Sequence, residues 1–222
     1  MGDIGHPPEL LETIRTAFGC GDALGLTIAG LARQGAHGRG AMLWPLPDRD
    51  ETTLLLAGFA QEVAYGRDGT MLVLLPLGPG DFYGSLVGMS DGDTRIEAVS
   101  SGSAAHFSDA AVMRLMEGYA IVAVAITRHL AARLTALRRR MVEAAMLSAT
   151  GRIAAELLRR SGQGEGGIIR PMPVFAELAA SVQSTRETVS RTVSQWEKRG
   201  LLRRVEGGLQ VVARHRLEDL VY

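Results

Sequence analysis

The sequence predicts an α+β protein with three parts: an N-terminal, jelly-roll-like β-roll, a long helix, and a C-terminal winged helix-turn-helix. Three observations predict these parts. Residues 24–107 alternate short apolar runs with Gly, Pro and Asp turns, residues 119–147 follow one long helical pattern, and residues 175–212 combine two short helical patterns with two short strands. We therefore expect a first domain over residues 1–118, a long connecting helix over 119–147, and a second domain over 148–222.

Charge is distributed unevenly along a chain whose formal net charge is zero. Residues 1–108 contain 6 basic and 13 acidic residues, a net charge of −7, whereas residues 109–222 contain 18 basic and 11 acidic residues, a net charge of +7. A length of 222 residues with 46% hydrophobic content is enough for two cores. The basic C-terminal half therefore indicates contact with phosphate.

The sequence lacks the residues that several classes of function require. Cys20 is the single cysteine, so one chain cannot form a disulfide framework or a multi-cysteine cluster. The five histidines are scattered without a His-x-His pair, and no Gly-x-Ser-x-Gly occurs. We expect no catalytic residues and no metal site. We find no secretory n-region and no uninterrupted apolar run long enough for a membrane span, so we expect a cytoplasmic protein without a membrane partner.

The N-terminal part begins with a helix over residues 8–18, which ends at Gly19–Gly21. Short strands are then predicted wherever apolar runs are bounded by turn residues. Arg67-Asp68-Gly69 predicts a hairpin turn between two of these strands. The predicted strand segments are 24–31, 41–44, 53–57, 59–65, 71–75, 95–99 and 104–107, a pattern typical of a small sandwich or barrel.

Residues 110–116 predict a helix that opens at Ser108, and a longer helix follows over residues 119–147. Its apolar residues Leu130, Leu134, Leu137 and Met141 recur at alternating spacings of 4 and 3, which is the pattern of a coiled-coil seam. This seam predicts a homodimer, although burial of both apolar stripes within one chain stays open. A second stripe is expected to pack on the roll: Tyr119, Val122, Ile126 and Leu130.

The C-terminal part starts at a hinge, Leu147–Ser148, where Ser148 can cap a helix over 149–160. The helix-turn-helix follows, with a turn at Gln183–Ser184. The residues that predict its two buried faces are Phe175, Leu178, Ala179 and Val182, and then Val189, Val193 and Trp196. Ser184 and Glu187 have the spacing of a capping box, Gly200 ends the second helix, and Gly207-Gly208 predicts the turn of a two-stranded wing.

The exposed face of the second helix carries side chains suited to base and phosphate contact. Arg can bond guanine bidentately, Glu can accept from the cytosine amino group, and Ser and Thr can bond bases or phosphates. These residues predict binding to double-stranded DNA, whereas a solvated helix hairpin in which Glu187 serves only as a cap is the alternative. The candidates are Thr185, Arg186, Glu187, Thr188, Ser190 and Arg191 on the helix, and Arg203 and Arg204 on the wing.

The run Arg-Glu-Thr-Val-Ser-Arg over residues 186–191 resembles the recognition-helix signature of the Crp/Fnr (catabolite activator) family of bacterial transcription regulators. Residues 150–154 resemble the opening of that family's DNA-binding domain. The resemblance implies that Arg186, Glu187 and Arg191 read bases, that a homodimer binds an inverted repeat with a TTGA- or GTGA-like half-site, and that RNA polymerase is a partner. Gln183 departs from the family, where relatives often have Gly.

Residues 77–84 resemble the stretch that enters the family's cyclic-nucleotide pocket, so the roll is similar to a cyclic-nucleotide-binding fold. Gly84, Ser85 and Arg95 occupy positions of its phosphate cassette. However, Ser85 stands where the family has the Glu that bonds ribose, and Ile96 stands where it has a Ser or Thr that bonds phosphate. At residues 137–138, Leu and Arg replace the paired hydroxyl residues through which the long helix of a cAMP-responsive member contacts adenine. We therefore expect no cofactor and no cAMP dependence, while a different small-molecule effector stays open.

Together these features predict a sequence-specific, DNA-binding transcription regulator that acts as a homodimer. An alternative from another class is a ligand-binding sensor module that acts through a protein partner and retains only the shape of a helix-turn-helix. The two differ in the salt dependence of DNA affinity, which phosphate contact makes steep.

Overall fold

The computed structural model describes residues 8–45, 51–85, 94–162 and 164–221, and it confirms the predicted α+β fold class. Contacts divide the chain into two compact units. The first comprises Met1–Gly69 and Leu74–Ala136, and the second comprises Thr70–Val73 and Leu137–Tyr222.

The first unit is a β-roll with helices. Its helices are α1 (Pro8–Phe18), α2 (Asp22–Ala29), α3 (Asp109–Gly118) and the first part of α4 (Ala120–Met146). Its strands are β1 (Arg33–His37), β2 (Met42–Trp44), β3 (Glu51–Ala57), β4 (Ala60–Tyr65), β5 (Met71–Leu77, of which the part from Leu74 belongs to this unit), β6 (Phe82–Gly84), β7 (Thr94–Ala98) and β8 (Gly102–Ser108). They form two four-stranded sheets, in the orders β1-β8-β3-β6 and β2-β7-β4-β5.

Five consecutive residues of β3 are buried. Because successive side chains of a strand point to opposite faces, both faces of β3 are buried. Leu54 and Leu56 belong to a core shared with α1, α3 and α4. Leu55 belongs instead to a smaller core with residues of both sheets, including Leu77, Tyr83 and Ile96. The roll therefore has one core facing its helices and another formed by its strands.

One prediction for this unit is wrong, and two short strands, β1 and β6, were not predicted. Residues 24–31, predicted as a strand, lie largely in helix α2, because Leu24 and Ile28 follow a helical spacing and α2 packs on α1. Gly25 allows this packing, since a Cβ there would lie 2.9 Å from the side chain of Leu11. Strand β1 was missed because its exposed, polar sequence has no apolar alternation, although it pairs with β8 over its whole length.

Helix α4 packs on the roll with a face that is apolar first and polar later. Val122 and Ile126 are buried, as predicted, but Tyr119 and Leu130 are exposed. The packed face continues instead through His129 and Arg133, which follow at helical spacing.

Both polar side chains are bonded to the roll. The Nε2 atom of His129 lies 3.3 Å from the backbone nitrogen of Phe82, and Arg133 forms a 2.5 Å ion pair with Glu62. Length and composition alone would allow α4 to cross a membrane, but Val122, Ile126 and Arg133 make its first part a packed helix of this unit.

The second unit contains the remaining helices and a small sheet. The helices are the rest of α4 from Leu137, α5 (Ala149–Ser161), α6 (Phe175–Ser181), α7 (Arg186–Lys198) and α8 (Arg214–Glu218). The strands β9 (Ile168–Ile169), β10 (Leu202–Val205) and β11 (Gly208–Val211) form an antiparallel sheet in the order β10-β11-β9. One apolar core joins α5, α6, α7, α8 and this sheet.

Glycine at position 84 is required by a close approach between β6 and β3. A Cβ at Gly84 would lie 2.1 Å from the carbonyl oxygen of Glu51, and the residue has a φ of +108°. Gly69, in the turn after β4, has a φ of +79°, but nothing lies within 4 Å of the position that a Cβ would take there. The two glycines share left-handed backbone and differ in available space.

We expect Gly84→Ala to lower the free energy of unfolding by about 2–5 kcal/mol, which combines left-handed strain with overpacking. Gly69→Ala should lower it by about 1–2 kcal/mol, from strain alone. Chemical denaturation of both variants measures the difference. Equal losses would show that the close approach at Gly84 relaxes without cost.

Candidate nucleic-acid interface

Helix α7 packs one apolar side into the core of the second unit. Val189, Val193 and Trp196 are buried there at the predicted spacing, together with Leu178 of α6. Because these residues fix the rotation of α7, its opposite side faces solvent.

That opposite side has an open surface lined by Arg186, Glu187, Ser190, Arg191 and Ser194. Four of these were predicted from the sequence. Ser194 was missed, although it follows Ser190 by four residues and therefore lies on the same face of the helix. Thr185 and Thr188 lie at the beginning of α7 and are the sequence neighbours of Arg186 and Glu187, which line this surface.

The cations of this region fall into two groups. Among the described residues, Arg186 and Arg203 have no hydrogen-bond or ion-pair partner, and both are exposed. Arg191 is ion-paired with Glu187 one turn before it, and Arg204 lies 2.7 Å from Glu197. Exposed pairs of this kind stabilise a protein by only about 0–1 kcal/mol, so they do not prevent exchange for a nucleic-acid contact.

The predicted capping box of α7 is wrong by one residue. Thr185 is the N-cap, and its hydroxyl accepts a 3.1 Å hydrogen bond from the backbone N–H of Thr188. Thr185 and Thr188 also share a 2.9 Å hydroxyl–hydroxyl bond. Ser184 stands outside the helix, and Glu187 is ion-paired with Arg191 instead of closing a capping box. Ser148 caps α5 as predicted, and Ser108, where α3 was expected to begin, is the N-cap of α3.

The turn between α6 and α7 determines this one-residue shift. Gln183 has a φ of +51°, and the N–H of Ser184 donates to the carbonyl of Ala179 at 2.9 Å. This is the Schellman ending of a helix, in which a left-handed residue follows the C-cap. It places Ser184 in the ending of α6 and leaves Thr185 as the first residue that can cap α7.

Two arginines hold the carbonyls at this helix ending. Arg140 of α4 donates to the carbonyl of Ser181 at 3.1 Å. Arg152 of α5 donates to the carbonyls of Val182 at 2.8 Å and Gln183 at 3.0 Å, and also to that of Leu147 at 2.8 Å. Because the last carbonyls of a helix have no partner within it, these guanidinium groups satisfy acceptors that the Schellman ending leaves open.

Glu156 lies at the centre of a buried charge cluster between α4 and α5. It is 5% exposed and pairs with Arg160 at 2.8 Å, with Arg159, and with Arg140 at 3.6 Å. Burial raises the pKa of Glu156, but Arg160, Arg159 and Arg140 lower it further, so its pKa lies below the ordinary value. Glu156 therefore remains charged and holds the three guanidinium groups.

The predicted cassette residues of the roll lie on different sheets. Gly84 ends β6 in one sheet, while Arg95 lies on β7 in the other, 5.4 Å above the ring of Tyr65. Ser85 is buried and donates to a carboxylate oxygen of Asp109 at 2.5 Å. Leu86 and the rest of the segment up to residue 93 lie outside the described residues.

The predicted seam residues of α4 are largely open to solvent: Leu130, Leu134 and Met141 are exposed, and Leu137 is partly exposed. Within the described part of the chain, no three His, Cys, Asp or Glu side chains are grouped as metal ligands. The structure thus offers a charged helix face and an apolar helix stripe as its candidate interaction surfaces.

Residues 151–220 match the Crp-like helix-turn-helix domain family. This domain contains the turn, the charged face of α7 and the wing. The second unit therefore contains a Crp-like helix-turn-helix domain. The resemblance seen in the sequence is confirmed for this domain. A comparison with curated protein sequences finds no match.

Solved structures share the fold over most of this chain. FixK2 from Bradyrhizobium japonicum is 19% identical, with a TM-score of 0.74 over 86% of this chain and 98% of its own. A mutant of CooA from Carboxydothermus hydrogenoformans is 17% identical, with a TM-score of 0.78 over 88% and 90%. A Crp/Fnr family regulator from Thermus thermophilus is 25% identical, with a TM-score of 0.67 over 85% and 98%.

We expect Thr185→Ala to lower the free energy of unfolding by about 0.5–2 kcal/mol, because it removes the N-cap of α7. Ser184→Ala should change it by no more than about 0.5 kcal/mol, since Ser184 does not cap the helix. Chemical denaturation of the two variants provides the comparison. A larger loss of unfolding free energy in Ser184→Ala than in Thr185→Ala would show that Ser184, as the sequence predicted, caps α7.

Proposed function

We propose that this protein binds a specific inverted repeat in double-stranded DNA as a homodimer and regulates transcription from it. The observation that carries the proposal is the seating of α7: its apolar side is buried, and its Arg, Glu and Ser side chains face outward. The salt-dependent phosphate contact of such a surface separates this function from a sensor that acts through a protein partner.

Helix α7 has dimensions suited to the major groove. Its 13 residues give a length of about 20 Å, and a major groove about 12 Å wide admits one helix. Arg186 is the leading base contact because it is exposed at the first position of the helix and has no partner among the described residues. Arg191 and Glu187 would read bases as a pair, since each already orients the other.

Phosphate contacts are assigned to the hydroxyls and to the wing. Ser190 and Ser194 lie on the open face, and Thr185 and Thr188 lie at the positive end of the helix dipole. On the wing, Arg203 can contact phosphate without breaking an ion pair, whereas Arg204 must first break its ion pair with Glu197. Arg203 is therefore the stronger candidate of the two.

The exposed stripe on α4 supports a second copy of the chain as the partner. Leu134 is 58% exposed and Met141 is 76% exposed, at positions that recur with coiled-coil spacing. Burial of such a stripe against an identical helix stabilises a dimer in proportion to the apolar area removed from water. A two-fold dimer presents two copies of α7, which suit half-sites about 34 Å apart.

We further propose that cAMP is not the effector. Ser85 has its hydroxyl bonded to Asp109, and Ile96 is a buried apolar residue where a phosphate-binding hydroxyl would be needed. The cytoplasmic location and a contact with RNA polymerase follow from the role as a regulator of transcription.

Arg186→Ala should weaken binding to the selected DNA site by about 1–3 kcal/mol and relax base preference, because a bidentate base contact is lost. Arg203→Ala should instead weaken binding to all sequences alike and reduce the slope of affinity against salt by about 1. Fluorescence anisotropy over a salt series measures both effects.

Arg114→Ala, an exposed arginine on α3, is the control for loss of charge and should bind as the wild type does. Unchanged specificity in Arg186→Ala would show that α7 does not read bases through this residue.

Leu134→Glu should give monomers with weak binding to the inverted repeat, because it places a charge in the proposed seam. Leu26→Glu makes the same change at a leucine of α2 that is 50% exposed, and it should remain dimeric. Light scattering with size exclusion gives the mass of each variant. A dimeric Leu134→Glu protein would remove this stripe from the interface.

A further inference from the structure

The turn of the helix-turn-helix is bonded to side chains from two other helices. Ser181, Val182 and Gln183 present three consecutive carbonyls at the ending of α6. Each accepts a hydrogen bond from a guanidinium group: Ser181 from Arg140, and the other two from Arg152. These residues lie just before Ser184 and Thr185, the N-cap of α7. Their geometry therefore sets where α7, the proposed recognition helix, begins.

Backbone conformation makes these bonds necessary. Gln183 is a left-handed, non-glycine residue, a conformation that is unfavourable for a side chain with a Cβ. The carbonyls around it have no acceptor role within α6, because the Schellman ending uses those of Ala179 and Ala180. Guanidinium groups offer donors in a fixed planar fork, which holds several acceptors in one geometry.

Both arginines also reach the end of α4. Arg140 belongs to α4 itself and lies 3.6 Å from Glu156, while Arg152 donates to the carbonyl of Leu147, directly after α4 ends. Glu143 of α4 pairs with Arg159 of α5 at 2.7 Å. The end of α4, the start of α5 and the turn before α7 therefore form one hydrogen-bonded assembly within the second unit.

We propose that Arg140 and Arg152 are positioning residues that fix the recognition helix relative to the end of the dimerisation helix. Glu156 keeps Arg140 in place, and Arg140 and Arg152 together hold the three carbonyls of the turn. The consequence for DNA binding rests on the proposed function, but the restraint on the turn does not require DNA.

Hydrogen exchange in the absence of DNA tests the restraint. In Arg140→Ala, amide exchange should accelerate in residues 182–189 and remain unchanged in the wing strands β10 and β11. Arg138→Ala removes the same charge from an exposed position two residues earlier and should exchange like the wild type.

Arg140→Lys keeps a positive charge beside Glu156 if the alanine variant folds poorly. Its single nitrogen replaces two, Nη1 on Ser181 and Nη2 on Glu156, so it should still accelerate exchange in the turn. Exchange that is unchanged in the turn, or that accelerates evenly throughout the second unit, would overturn the positioning role.

DNA affinity tests the consequence. Arg140→Ala should bind the selected site about tenfold more weakly, the effect expected from one lost charge-assisted hydrogen bond, while affinity for random duplex stays equal to that of Arg138→Ala. Equal losses on both duplexes would contradict positioning. A wild-type protein that fails to discriminate between the duplexes would refute the proposed function alone, because the exchange result stands without it.

Discussion

Burial of one side of α7 is the constraint on which the candidate interface depends. Val189, Val193 and Trp196 can enter the core only in one rotation of the helix, and that rotation directs the Arg, Glu and Ser side chains outward. The exposed side is therefore determined by packing, while its chemistry is determined by residues that contribute little to stability. Arg186 illustrates this separation, since it is exposed and has no partner among the described residues.

The ending of α6 is the second constraint, and it explains why the predicted cap of α7 was wrong. Helical periodicity predicted the buried faces of α6 and α7 correctly, because apolar spacing reports the side of a helix that packs. The cap was misplaced from Thr185 to Ser184 because its position depends on the left-handed conformation of Gln183. A glutamine carries no sequence signal for that conformation, whereas a glycine would have.

Charged residues were the least predictable part of the second unit. A run such as Arg138–Arg140 is typical of a helix face that is solvated or ion-paired, and nothing in the sequence marks Glu156 as buried. Yet Glu156 is 5% exposed and pairs with three arginines. Burial of a charge depends on which helix packs beside it, and that is a property of tertiary structure. In the roll, similarly, the apolar runs predicted most strands. Helix α2 depended on packing against α1, and the unpredicted strands β1 and β6 depended on pairing with β8 and β3.

Selection of binding sites from a random duplex pool, with and without a panel of cyclic nucleotides, tests the central claim most directly. We expect the purified wild-type protein to enrich an inverted repeat without any added nucleotide. Enrichment only with one nucleotide would contradict the internal roles assigned to Ser85 and Ile96. No enrichment in either arm would contradict sequence-specific DNA binding by α7.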